Sequence, residues 1–462
     1  MLFIESVRKI AEKEQVIDSI TPITNGNLET FFLTPEWKFS NYKNYILVLL
    51  NFMYSILPAS DNPTYSSIEE LKKEVCNIYG NIISVYKPQD WSSSPTSDET
   101  LVNILKQGIG SHLIEKHGDE YCVDLSYMED FAVREGLMRY GSKIAFDRKF
   151  NLLYIRYDGE MHIPGKPTWE TAKYIFRSSL IVTNIIRTHA TLFHMFFASN
   201  IAASLRCLPE DHKLRIFMTP FQFGNLEAAA KARRILYEGT AYFKRMFGFT
   251  NSSLKEFIEH SVYSCKYEPF PVKYKRLGRI VFRSPYHKDG ILVWNTINNF
   301  VKDYFIKYDI DYENPFTNDL FYRSHGEINI KSHEELIDLI TEFIFISTCA
   351  HEVVGNSIFK YTYNPDLMSP KLYKDAVQKG TLICDTQSYH QIVLLSVLTS
   401  MLRLPKIMDD FSFLFPKEDH EMINKFKEEL KNVSDVIHER NRERDEPFID
   451  MNPENLEISM SA

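Results

Sequence analysis

The chain has 462 residues, 44% of them apolar and 25% charged, which is material for one large core or for two or three smaller domains. A net charge of −8 and a pI near 6.0 exclude a nucleic-acid binder that works through a basic face. Six cysteines, Cys76, Cys122, Cys207, Cys265, Cys349 and Cys384, lack paired or metal-binding spacing, which points to a reducing, cytoplasmic compartment.

The segment from Met1 to Lys9 carries early charges and no clean apolar stretch, so no secretory signal is evident. Residues 1–90 contain apolar helical stretches such as Tyr45 to Leu57, too short to span a bilayer. They read as helices packed on a core, and no transmembrane segment is expected. Residues 82–100 are rich in Pro and Ser and read as a surface loop. From Tyr121 to Ile163 the pattern alternates, with Asp158-Gly159 marking a hairpin turn, so a small antiparallel sheet is expected. From Trp169 onward the apolar spacing is helical, including Ile392 to Leu404 and an outer helix from Glu418 to Arg440. The basic run Lys266 to Arg283, with Lys273, Lys275, Arg276 and Arg279, reads as a solvated loop or as a docking patch for an acidic carrier protein. His212 and His325 read as hydrogen-bonded structural residues. Aromatic residues, 33 Phe and 26 Tyr among them, imply a dense core or a lined cavity. Phe193, Met195, Phe196 and Phe197 are therefore either core or the wall of an apolar channel.

Several stretches stand in a suggestive order. Trp169-Glu-Thr-Ala172-Lys173 precedes Asn184, His189 and His194, spaced five apart. Then come His212, Thr219-Pro220-Phe221, Ala230, Ala232 and Arg233, followed by Asp289-Gly290 and Trp294 with Phe300, Val301 and Tyr304. Thr341 to Asn356 holds His351 and Gly355, Arg440-Asn441 follows, and the sequence closes on Pro447 to Ala462 with Pro453 inside it. In this order the chain, from about Trp91 to Ala462, resembles the lipoxygenases.

The resemblance implies a mainly α protein: one large helical domain over residues 91–462 with a small antiparallel β subregion, and a helical part over residues 1–90 where animal and plant lipoxygenases carry a β-sandwich. It implies a single non-haem iron held by His189, His194, His351 and the α-carboxylate of Ala462. Manganese suits the same donors. It also implies oxidation of an unsaturated fatty acid or similar polyene, hydrogen being removed between two cis double bonds and dioxygen adding to the radical. Phe193, Phe197 and Ala232 would fall on the substrate channel, and an alanine at 232 would imply an S-type product. Two positions depart from the family. Asn184 stands where a non-ligand histidine is usual, suggesting a hydrogen bond toward the site. Gly355 stands where a ligand asparagine is usual, with Asn356 one place late. Other readings are a divergent oxidase of a specialised, carrier-bound metabolite and a metal-free scaffold.

The spacings carry their own geometric demand. Positions five apart on a regular α-helix point about 140° away from each other. A π-type turn brings them nearly into line. A π-bulge is therefore expected between His189 and His194. Asn356 reaches inward only if the helix after His351 is bulged too.

Overall fold

The computed structural model describes residue 89, residues 91–195, 208–223, 241–264, 268–310, 330–362, 364–375 and 405–460, and isolated positions 197, 198, 201, 204, 225, 229 and 312. The helices expected in residues 1–90 and from Ile392 to Leu404, together with His325, lie outside these residues.

Ser97 opens the first helix, α1 (Asp98–Lys106), its hydroxyl accepting the Thr100 N–H at 3.1 Å. Acids in the first turn and a lysine in the last complement the helix dipole. The expected loop over 82–100 therefore ends sooner than its composition suggests, because Ser97 caps rather than breaks. Five strands follow as an antiparallel meander: β1 (Glu115–His117), β2 (Glu120–Asp124), β3 (Lys143–Phe146), β4 (Leu152–Tyr157) and β5 (Glu160–His162). Asp158 and Gly159, with φ of 51° and 76°, make the two-residue turn between β4 and β5.

Most of the remaining described chain is helical, as expected of a mainly α chain. It comprises α2 (Trp169–Thr183), π1 (Asn184–Met195), α3 (Lys213–Gln222), α4 (Asn251–Ser264), α5 (Phe270–Leu277), α6 (Pro285–Tyr308), α7 (His333–Phe345), π2 (Ile346–Asn356) and α8 (His420–Arg442), with shorter helical turns between them. The basic run expected as a loop is α5 followed by a 3₁₀ turn over Gly278–Arg283. Two of its cations are neutralised internally: Lys273 pairs with Glu115 at 3.2 Å, and Arg276 pairs with Glu115 and Glu268. On α8, Ile423, Phe426, Leu430, Ser434 and Ile437 form the buried stripe, and most of the charged residues lie on the other faces, as the sequence pattern requires. No helix among the described residues is long and apolar enough to cross a membrane.

Among the described residues two large apolar clusters form the interior. One joins the sheet to α1, α2 and α4, and the other joins α3, α6, α7, π2 and α8 to the segment after α8. The sequence landmarks tie these layers together. Trp169 Nε1 donates to Asp98 at 2.9 Å and Lys173 Nζ to the same carboxylate at 2.7 Å, fastening α2 to α1. Asp289, fully buried, accepts from Arg440 at 2.8 Å and from both terminal guanidinium nitrogens of Arg444 at 2.7 and 2.9 Å. Gly290 lets α5 come close, since a Cβ there would stand 2.7 Å from Phe270 Cζ. Trp294 Nε1 donates at 2.8 Å to Glu342, which also accepts the Phe270 N–H at 3.1 Å.

Burial pushes the Glu342 carboxyl up to about 8, despite the Phe270 N–H that favours its charged form. The folded protein thus keeps a proton that the unfolded chain releases above about pH 4.3. Stability contributed by this group is present below that pH and is lost as pH rises toward 8, by up to about 1.4 kcal/mol per unit. Glu342→Gln retains an acceptor and cannot ionise. In metal-free protein, urea unfolding of the wild type is expected to weaken more than that of Glu342→Gln between about pH 5 and about pH 8. Parallel pH profiles would show that Glu342 is ionised throughout.

Candidate metal centre

The backbone from Asn184 to Met195 is π-helical, so His189 and His194 turn toward the same side instead of diverging. Within the wide turn Thr191 Oγ1 donates to the carbonyl of Ile186, five residues back, at 2.8 Å. The expected bulge is thus a full π segment. A second one, π2, continues α7 and carries His351, and it packs directly against π1.

Their meeting brings three Nε2 atoms together. His189 and His194 are 3.0 Å apart, His189 and His351 3.1 Å, and His194 and His351 3.1 Å. Among the described residues this is the group of His, Cys, Asp and Glu donors able to share one ion. His194 and His351 are buried, and His189 is partly exposed. Each Nε2 offers one in-plane proton or lone pair. A cation takes all three lone pairs. With metal–imidazole bonds of about 2.1 Å, right-angle coordination separates neighbouring nitrogens by about 3.0 Å and tetrahedral coordination by about 3.4 Å. The observed edges match one face of an octahedron, which leaves further positions for other donors. Neutral imidazoles completed by a carboxylate suit non-haem iron.

The remaining candidates fall in different places. Gly355 lies against the cluster: a Cβ there would stand 2.7 Å from His189 Cδ2, 3.0 Å from His189 Nε2 and 3.1 Å from His351 Cδ2. Asn356 is the last residue of π2, five after His351. Asn184 does not bond to the cluster. Its amide donates to the carbonyls of Ile109 at 3.1 Å and Leu180 at 2.9 Å, because its place at the junction of α2 and π1 faces those backbone acceptors. Phe193 and Phe197 are buried in the second apolar cluster, and the Phe197 ring stacks on Phe343 at 3.7 Å. His212 has the structural role expected, capping α3 by accepting the Leu214 N–H. Ala232 and Ala462 lie outside the described residues.

The segment leading toward Ala462 runs inward. Asn441 holds the turn, its side chain donating to Phe448 O at 3.0 Å and accepting Phe448 N at 2.9 Å. Residues 405–407 then pair with 456–458: Ile407 N donates to Leu456 O and Ile458 N to Pro405 O. Leu456, Ile458, Ser459 and Met460 are fully buried, and Ser459 Oγ donates to Phe223 O at 2.8 Å. Two contributions escaped the sequence reading. Gly355 reads there only as a lost ligand, although a glycine inside an apolar helix between two polar candidates signals close packing. Glu342, a single acid within the apolar run Leu339 to Ile346, signals a buried carboxyl.

No family model matches the chain. It is 22% identical over 333 residues to the polyunsaturated fatty acid lipoxygenase ALOX15 of Pongo abelii, covering 65% of this chain and 50% of that protein. To the chloroplastic lipoxygenase 6 of Arabidopsis thaliana it is 23% identical over 320 residues, covering 57% of this chain and 34% of that one. The chain spans about half the length of the ALOX15 relatives it matches. Among solved structures, a calcium-dependent 11R-lipoxygenase superposes with a TM-score of 0.72 at 15% identity, over 95% of this chain and 74% of that chain. A fungal lipoxygenase from Fusarium graminearum does so with a TM-score of 0.72 at 16% identity, over 97% and 89%.

The packing of Phe197 generates a stability prediction. As a core ring it should cost about 3–5 kcal/mol when truncated in Phe197→Ala, read from urea unfolding. A loss under about 1 kcal/mol would mean that the ring borders open space.

Proposed function

For this lipoxygenase-like chain, whose fold is that of the lipoxygenases, we propose the function of a non-haem iron oxygenase acting on an unsaturated fatty acid or similar polyene chain. The observation that carries the proposal is the triangle of imidazole nitrogens with edges of 3.0–3.1 Å. Neutral His189, His194 and His351 would hold the ion. Such an ion would supply one-electron redox chemistry: it would take one electron as a proton leaves the methylene between two cis double bonds, and return the electron, with a proton, once dioxygen has added to the carbon radical. The chain's own contribution is to bind, orient and exclude water. Burial of His194 and His351 would keep bulk water from the inner side, and Phe193, next to His194 in the chain, lies with Phe197 in the second apolar cluster.

The proposal takes two further donors. Asn356 would supply a weak carbonyl oxygen, which is supported by its place five residues after His351 in π2. The α-carboxylate of Ala462 would supply the anionic ligand, which is supported by the buried, inward path of residues 456–460. A carboxylate delivered along that path needs a cation or strong donors, since an unpaired buried charge costs several kcal/mol. Cytoplasmic localisation belongs to the same reading.

Elemental analysis of protein purified without chelator or histidine tag is expected to give one iron per chain, and polyunsaturated fatty acid should stimulate dioxygen uptake. Metal-free protein that stays so after anaerobic loading with ferrous ion would favour a scaffold instead. Single alanine variants of His189, His194 and His351 should each lose the ion while remaining folded. If all three retained it, the triangle would not be the site. Adding one glycine after Ala462 moves the terminal charge about 3.5 Å along the chain. That extended protein should fold and lose metal, whereas Ala462→Ile should keep it. Full metal content in the extended protein would remove the carboxylate from the centre.

A further inference from the structure

Gly355 sits inside a helix, where glycine is less favourable than alanine because the unfolded chain gains more freedom and the helix gains no side chain. Its backbone supplies no reason for glycine, since it is absent from the residues with positive φ. Space is the remaining reason. A Cβ would press on His189 at 2.7 and 3.0 Å and on His351 at 3.1 Å, so two rings pinch this one backbone position. Neither ring can retreat freely. Each shares edges of 3.0 or 3.1 Å with the others in the triangle, and His351 is anchored to the same helix as Gly355.

From this contact we infer that Gly355 is a positioning residue: its missing side chain lets the His189 ring lie against the backbone of π2, with Nε2 at the shared point. The inference rests on the metal-centre reading and deepens it. It explains why the donor expected at this position is displaced by one residue. A side chain at 355 would occupy the volume of the His189 ring, so an asparagine there could not serve as a ligand beside that ring. The glycine and the shifted asparagine are one arrangement, in which direct packing of π1 on π2 at Gly355 takes the place of a donor four residues after His351.

A double-mutant cycle tests the contact without any metal. Gly355→Ala is expected to lower the thermal midpoint of the metal-free protein when His189 is present, and to raise it when combined with His189→Ala. In the second background the contacts at 2.7 and 3.0 Å are gone, and the helix preference for alanine opposes only the looser 3.1 Å contact with His351. An equal shift in both backgrounds would overturn the inference. If Gly355→Ala alone fails to fold, recovery of folding in the double variant supports the contact and continued failure overturns it.

Cobalt(II) titration supplies the second readout. The wild type should bind one ion, and folded Gly355→Ala should bind about tenfold or more weakly with a changed visible spectrum. Gly355→Asn should bind no better than Gly355→Ala. Unchanged affinity and spectrum in Gly355→Ala would overturn the positioning role. A wild type that takes up no cobalt would sink the metal reading, while the thermal cycle still decides the steric contact.

Discussion

The packing of one π-helix against another governs the interior of this protein. A helix of ordinary pitch would send His189 and His194 to different sides, and the wide turns of π1 bring them to one. Three nitrogens then face one another across about the width of a single ion. Such an arrangement would let a single cation take all three lone pairs. The helices around it act to hold that convergence. Glu342 receives Trp294 and the Phe270 backbone on α7, just before it widens into π2, so the histidine-bearing segment is braced from α5 and α6 together.

The landmarks in the sequence divide cleanly into fasteners and donors. Trp169 and Lys173 fix α2 to α1 through Asp98, and Asp289 gathers two arginines from α8 and the turn that follows it. None of these groups touches the cluster. Their spacing is stringent because each buried charge or indole must meet its partner when removed from water. A chain can therefore keep these signatures while its donor set changes, and under the proposed reading the exchange at Gly355 and Asn356 would be a change of that kind.

Much was legible before any coordinates. The strands Lys143–Phe146 and Leu152–Tyr157, the turn at Asp158-Gly159 and the need for a π turn after His189 all follow from local pattern. What escaped was set by long-range packing. A basic run gives no sign that Glu115, far away in sequence, will fold back to neutralise Lys273 and Arg276. Composition marked residues 82–100 as loop because serine both breaks helices and caps them, and only the following Thr100 N–H decides which at Ser97. Asn184 looked toward the site by its spacing alone, whereas its amide is taken by two carbonyls at the junction of helices.

The pairing of residues 405–407 with 456–458 also bears on how the molecule assembles. The cluster joins His194 to a partner 157 residues away, and Ser459 reaches back 236 residues to Phe223. Contacts of such long loop closure carry a large entropic cost. The innermost contacts are thus among the costliest for the chain to close. An ion bound there would add stability only to the state in which both π-helices have met.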